Sequence, residues 1–303
     1  MSGVRVRAIH WVVLLSLVAL WGSSYLMIEI ALTVWRPAEI AGLRILTAAA
    51  VLMMAMLARS ERLPTDRAHW MPLGVIALVG NCVPFFLISW GQQQVESGLA
   101  GVLAASTPLF VLVMAHFALE DERVGRRQVL AFVVGFAGVV VLLGPDSLAA
   151  LGGSAARLLS QLAILGGAAC YGAATVIARK LPAAPAVVTS AGVMLAASVF
   201  MLPFVGSGLA VPASVTWQGA AAIGFLGLLG TGVASILYFR LIAETGARFT
   251  SLVNYLVPVC AVGVGAAFLG EKLPLSSWLG LFLLLCGLIL ISKSVMIPSQ
   301  INK

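Results

Sequence analysis

Two charged side chains stand out because they sit inside long apolar runs: Glu29 and Arg44. An arginine near the bilayer centre costs about 2.5–3.5 kcal/mol on insertion scales, so it must face protein or water. Glu29, about one turn inside the end of the preceding run, is the expected partner of Arg44. The pair reads either as a fastener between two spans at the outer rim or as a gate or substrate-carboxylate site. A second group is a stripe. Trp21, Ser24, Tyr25 and Ile28 recur three or four residues apart, and Tyr171, Ala174, Thr175 and Ala178 repeat the spacing. Aromatic rings beside hydroxyls suit an amphipathic cavity, and equally suit helix packing. Further polar side chains fall mid-run: Asn81, Ser106, Thr107, Thr231, Ser235, Tyr238, Asn254 and Tyr255. An amide in hydrocarbon needs hydrogen-bond partners, so Asn81 and Asn254 should face the interior, bonding across helices or reading polar groups on a substrate. Tyr and Trp would stack on an apolar or aromatic cargo. Gln92 to Gln94 read as a wet rim, and the isolated His116 is weak evidence for proton handling.

Catalysis needs more than these residues supply. Glu29 is the one clearly embedded carboxylate, and no His or Cys has metal-ligand spacing, so no catalytic residue, metal or cofactor is expected. A channel would show a repeated polar or charged filter, which is absent. The four cysteines, Cys82, Cys170, Cys260 and Cys286, lie in apolar runs without paired spacing and read as buried thiols.

The elements that must position these groups are transmembrane helices. The chain is 61% hydrophobic and 10% charged, far from the roughly 25% charge of soluble domains. About 20 apolar residues cross a bilayer core. Gly, Pro and charge clusters cut the chain into ten such segments: 10–33, 37–58, 71–93, 98–119, 126–144, 158–178, 186–205, 217–239, 247–268 and 274–292. The net charge of +7 could suggest nucleic acid, but the basic residues sit in short loops between segments. With a cytoplasmic amino terminus, fourteen of eighteen fall inside (Arg5, Arg7, Arg59, Arg62, Arg67, Arg123, Arg126, Arg127, Arg179, Lys180, Arg240, Arg248, Lys293, Lys303) and three outside (Arg36, Arg157, Lys272). That bias predicts both termini cytoplasmic. Arg5 and Arg7 before the run from Trp11 resemble a signal peptide, but no small-residue cleavage pattern follows and the first segment is expected to be retained.

The segments are duplicated. At an offset of 150, Trp21-Gly22-Ser23-Ser24 falls on Tyr171-Gly172-Ala173-Ala174, Gly42 on Gly192 and Pro108 on Pro258; at 149, Glu122-Arg123 falls on Glu271-Lys272. Two copies of five spans must enter the membrane from opposite sides, which predicts inverted repeats over 1–145 and 157–303 joined by a linker at 146–156. Pro84, Pro108 and Pro258 lie near mid-span and are expected to kink their helices. Glycines throughout the spans are expected to let helices approach closely.

These features together resemble the drug/metabolite transporter superfamily, in particular its EamA-type branch of amino-acid and metabolite exporters. The resemblance rests on the two five-span copies, the Trp-Gly-Ser-Ser element, the Ala41-Gly42-Leu43-Arg44 run and the paired segments Pro108 to Glu122 and Pro258 to Glu271. It implies an all-α bundle of ten helices around a central cavity formed by helices one to four and six to nine, with the fifth and tenth peripheral. One departure is that Met194 stands where the first copy has Arg44. The expected function is export of amino acids, aromatic or apolar ones included, or similar small amphipathic metabolites across a bacterial inner membrane by alternating access. The alternatives are another solute class (nucleotide sugar, cationic drug), a channel or an intramembrane enzyme. Expected partners are a small-molecule substrate and membrane lipid, not nucleic acid, with the chain a monomer or homodimer.

Overall fold

The computed structural model describes residues 7–119, 125–143, 155–179, 181, 184–206 and 215–295. Within them the structure is helical, without strands. Among the described residues, nine helices are long and apolar enough to cross a membrane: α1 (Ala8–Leu32), α2 (Pro37–Ala58), α3 (His69–Gly91), α4 (Ser97–Ala118), α5 (Arg126–Leu143), α6 (Ala155–Ala178), α7 (Ala186–Val205), α8 (Trp217–Gly246) and α9 (Leu252–Leu269). A further helix, α10 (Leu275–Val295), carries a shorter apolar stretch over Leu275–Leu290. The protein is a multi-pass membrane protein. The linker expected at 146–156 lies outside the described residues except Ala155 and Ala156, which open α6.

Local chemistry sets the helix ends. α2 starts at Pro37, whose missing N–H is harmless there, while the Glu39 carboxylate accepts from the Arg36 backbone N–H at 2.8 Å. Gly270, at φ +67°, closes α9 in the left-handed region that glycine tolerates. α8 runs further than the expected 217–239 because nothing breaks it before Gly246, at φ +79°.

Irregularities fall where the two halves correspond. α3 contains a π-helical segment over Leu78–Cys82 and α8 another over Phe225–Val233, overlapping at the 150-residue offset. A π turn shifts a backbone bond from i−4 to i−5 and is common at functional sites. α4 is two half-helices, Ser97–Ala104 and Thr107–Ala118, with Pro108 in the first turn of the second half. The expected kinks are therefore unequal. Pro84 follows the α3 π segment and Pro108 follows a break, whereas α9 runs through Pro258 without interruption. The second half breaks upstream instead, at Gly246, because that residue has already reset the chain direction before α9 begins.

Small residues bring the helices together. A Cβ on Gly22 of α1 would lie 2.6 Å from Cys260 Sγ of α9, and one on Gly172 of α6 would lie 2.9 Å from Phe110 Cβ of α4. These are the same contact in the two halves, since both glycines and both partners are 150 positions apart. α5 and α10 meet still more closely: a Cβ on Gly287 would strike Gly135 N and Cα at 2.7 Å and Ala131 O at 2.8 Å. Backbone cannot yield as a side chain can. Gly287→Ala is expected to lower thermal stability in detergent by about 1–3 kcal/mol through overpacking. Gly263→Ala, where a Cβ meets nothing within 4 Å, serves as the control and should leave the melting temperature unchanged.

Candidate functional site

The helices enclose a central cavity of about 390 Å³. Its walls come from α1 (Trp21, Ser24, Tyr25, Ile28), α2 (Arg44), α3 (Asn81, Phe85, Ile88), α4 (Gly101 to Pro108), α6 (Tyr171, Thr175), α7 (Met194), α8 (Gly230 to Phe239) and α9 (Asn254, Val257, Pro258). α5 and α10 contribute nothing. The duplication extends to the walls: Trp21 and Tyr171, Tyr25 and Thr175, Arg44 and Met194, Asn81 and Thr231, Ala104 and Asn254, and Pro108 and Pro258 are all pairs 150 apart that face the cavity.

Arg44 is the one charged side chain on these walls. It is 8% exposed, and it is not paired with Glu29 as the sequence suggested. Its Nε donates to Thr231 Oγ1 at 2.7 Å, and its Cζ sits 3.9 Å above the Phe85 ring. The reason lies in helix geometry. Ile28 belongs to the cavity stripe of α1, so Glu29, one residue on, is turned about 100° away from it. Thr231 can take the guanidinium because the π segment lets its own hydroxyl donate back five residues to Leu226 O at 2.9 Å, which leaves its oxygen lone pairs free. No other acceptor among the described residues takes the remaining guanidinium N–H groups, and Tyr25 and Tyr171 are its electrostatic neighbours.

Two aromatic pairs line the cavity. The Trp21 indole N–H donates to Gly230 O at 3.1 Å, and its ring meets Tyr238 at 5.3 Å between centroids. In the other half Tyr171 meets Phe85 edge-on at 6.4 Å. Four wall serine and threonine hydroxyls are already committed as donors. Ser24 donates to Leu20 O, Thr107 to Ala104 O, Thr175 to Tyr171 O and Ser235 to Thr231 O, each within its own helix at 2.6–2.8 Å. They therefore offer only lone pairs to whatever occupies the cavity. Pro258 lacks an N–H, so the carbonyl of Asn254, four residues earlier, also loses its usual helical donor.

Of the residues singled out in the sequence, Tyr255 is displaced. Its hydroxyl donates to Leu288 O of α10 at 2.8 Å, because position 255 is about 100° around the helix from Asn254. Pro84 is not on the wall either. Phe85, Ile88 and Gly101 are wall residues that the sequence did not flag, whereas the duplication sets Met194 against Arg44 as its counterpart. Phe85 and Ile88 could have been found as the 150-residue counterparts of Ser235 and Tyr238, by the same signal that pairs Met194 with Arg44.

This arrangement, a helical bundle with a duplicated lining around one small cavity, has a counterpart among known proteins. The chain matches the EamA-like transporter family twice, over residues 9–144 and 158–293. It belongs to that family. The EamA-like transporter is 28% identical over 288 residues to the inner membrane transporter YedA of Escherichia coli (strain K12), covering 92% of this chain and 89% of the relative. It is 26% identical over 285 residues to a probable terminal-alkyne amino-acid exporter of Streptantibioticus cattleyicolor, covering 93% of each chain. A solved crystal structure superposes with a TM-score of 0.66 at 20% identity, over 96% of this chain and 100% of that one, a likeness of fold alone.

Proposed function

We propose that this EamA-like transporter is a secondary transporter that exports amino acids, aromatic or apolar ones included, or similar small amphipathic metabolites across a bacterial inner membrane. The observation that carries the reading is the chemistry of the cavity wall. It offers one cation, several hydroxyl and carbonyl lone pairs, two aromatic faces and no carboxylate. A zwitterion fits that set: its carboxylate meets the free N–H groups of Arg44, its ammonium meets the lone pairs, and an apolar side chain lies against Trp21, Tyr238, Phe85 and Tyr171. A volume of about 390 Å³ is at the small end of ligand sites, which run to roughly 1,000 Å³. That favours amino-acid-sized cargo over a nucleotide sugar, and the lone guanidinium disfavours a cationic drug. The amino-acid exporter among the relatives supports the same class.

Alternating access is the mechanism we infer, by rocking of two inverted five-helix halves within a ten-helix bundle whose termini are both cytoplasmic. Its support is the pairing of wall residues across the duplication together with the loop-charge asymmetry. Counterflow into proteoliposomes against a panel of apolar, aromatic, acidic and basic amino acids tests the assignment. Saturable exchange of aromatic and apolar members is expected; no saturable uptake of any member defeats the amino-acid reading, and a steady ionic current in its place favours a channel.

A further inference from the structure

We propose that Glu29 is a proton-binding site and that its proton is the coupling ion of transport. The coupling half of this rests on the transporter reading above; the proton site itself does not. Glu29 lies one helical turn beyond Tyr25 of the cavity wall. Its Oε2 is buried and has no hydrogen-bond partner. Gln92, 2% exposed, is within side-chain hydrogen-bond reach of it. The Gln92 Nε2 is engaged with Tyr25 O at 2.9 Å, while its Oε1 is buried without a donor. Two neighbouring side chains thus each bury an acceptor oxygen that lacks a hydrogen.

The charges facing Glu29 are all negative. Glu271 comes from the α9–α10 connection and Glu96 from the α3–α4 connection. Several polar groups at this end are already engaged with one another. Glu271 accepts from Ser97 N, Ser97 Oγ and Gly98 N at 2.7–2.8 Å, and Arg157 of α6 binds Glu96 at 2.8 Å. Lys272 is exposed. An ionised Glu29 here is a half-buried charge with two like charges and no counter-ion among the described residues, a state that proteins relieve by neutralising the group. One proton removes the charge and supplies an O–H donor. A cation fits less well: hard cations take about six or more oxygens, and no group of three His, Cys, Asp or Glu among the described residues is placed to hold a metal.

The site is wired to the cavity on both sides. Gln92 holds the Tyr25 backbone, and Glu271 holds the first turn of α4, which continues into the wall at Gly101 and Ala104. When the carboxyl O–H bond breaks and the proton leaves to water, the new carboxylate repels the Glu271 that pins α4. Release of the proton therefore weakens the link between the α9–α10 connection and α4.

Infrared difference spectroscopy across pH steps, on purified protein without substrate, tests the site. Wild type is expected to show a carboxyl band that appears and disappears across the pH steps and that Glu29→Gln lacks. Proteoliposomes loaded with radiolabelled phenylalanine, or whichever amino acid the panel selects, test the coupling. With one proton per substrate, a one-unit pH step drives about tenfold accumulation toward the acidic side in wild type, falling to about onefold in Glu29→Gln. Counterflow should persist in that variant, because glutamine has the shape of the protonated acid. A band that persists in Glu29→Gln, or one that responds to sodium and not to pH, overturns the proton site. Proton-driven accumulation that survives in the variant overturns the coupling. Absence of counterflow in wild type defeats the transporter reading alone and leaves the infrared result standing.

Discussion

Arg44→Met is expected to weaken uptake of carboxylate-bearing substrates by about two to three orders of magnitude while leaving the protein folded, and even slightly more stable. The two effects have different origins. Removing one partner of a desolvated charge pair costs about 2–5 kcal/mol of binding, which is roughly 30-fold to several thousand-fold in affinity. Folding loses little, because among the described residues the guanidinium has only Thr231 as a hydrogen-bond partner and the Phe85 face beneath it. Burying a cation in a membrane protein costs about 2.5–3.5 kcal/mol on insertion scales, and methionine avoids that. Met194 already occupies the equivalent place in the other half. Affinity from the concentration dependence of counterflow, set beside the melting temperature, separates the outcomes. Unchanged affinity removes Arg44 from recognition; a matching fall in stability makes it a packing residue. Amines without a carboxylate should not suffer the loss.

Trp21→Ala carries the second large effect, a change of preference rather than of rate. The side chain fills one end of the cavity, bonds to Gly230 O and faces Tyr238. Truncation enlarges the space and removes one aromatic wall. One methylene-sized change of fit in an apolar pocket is worth about 10- to 200-fold in discrimination, so the ratio of bulky to small amino acids should shift by at least roughly tenfold. Trp21→Phe keeps a ring and loses the N–H, isolating the bond to the π segment. Competition counterflow between tryptophan and alanine measures the ratio. An equal loss for every substrate, together with a lower melting temperature, assigns Trp21 to packing.

Much of the site was legible because the chain states it twice. Many residues that face the cavity in one half have a counterpart 150 positions away that faces it too, and Trp21 with Tyr171 or Asn81 with Thr231 could be paired on the page. Helical spacing put Trp21, Ser24, Tyr25 and Ile28 on one face because α1 is regular, but left open whether that face lined a cavity or packed against a helix; it lines the cavity. Spacing failed where a residue stands one position off a stripe. Glu29 and Tyr255 are each next to a wall residue, and a single step turns a helical side chain about 100°. The ion pair expected between Glu29 and Arg44 failed for that reason, because Glu29 is turned away from the face on which Arg44 meets Thr231.

Composition, loop charge and duplication were enough to establish a polytopic helical membrane protein with two related halves, and to mark which faces carry polar groups. These properties are sums or periods along the chain, so order alone contains them. The π segments of α3 and α8, the partnership of Arg44 with Thr231 and Phe85, and the closeness of Glu29, Gln92 and Glu271 depend on residues far apart in sequence. Only the packing of helices decides them, because a hydrogen bond or a buried charge is governed by distances of a few ångströms between elements that no periodicity along one helix records.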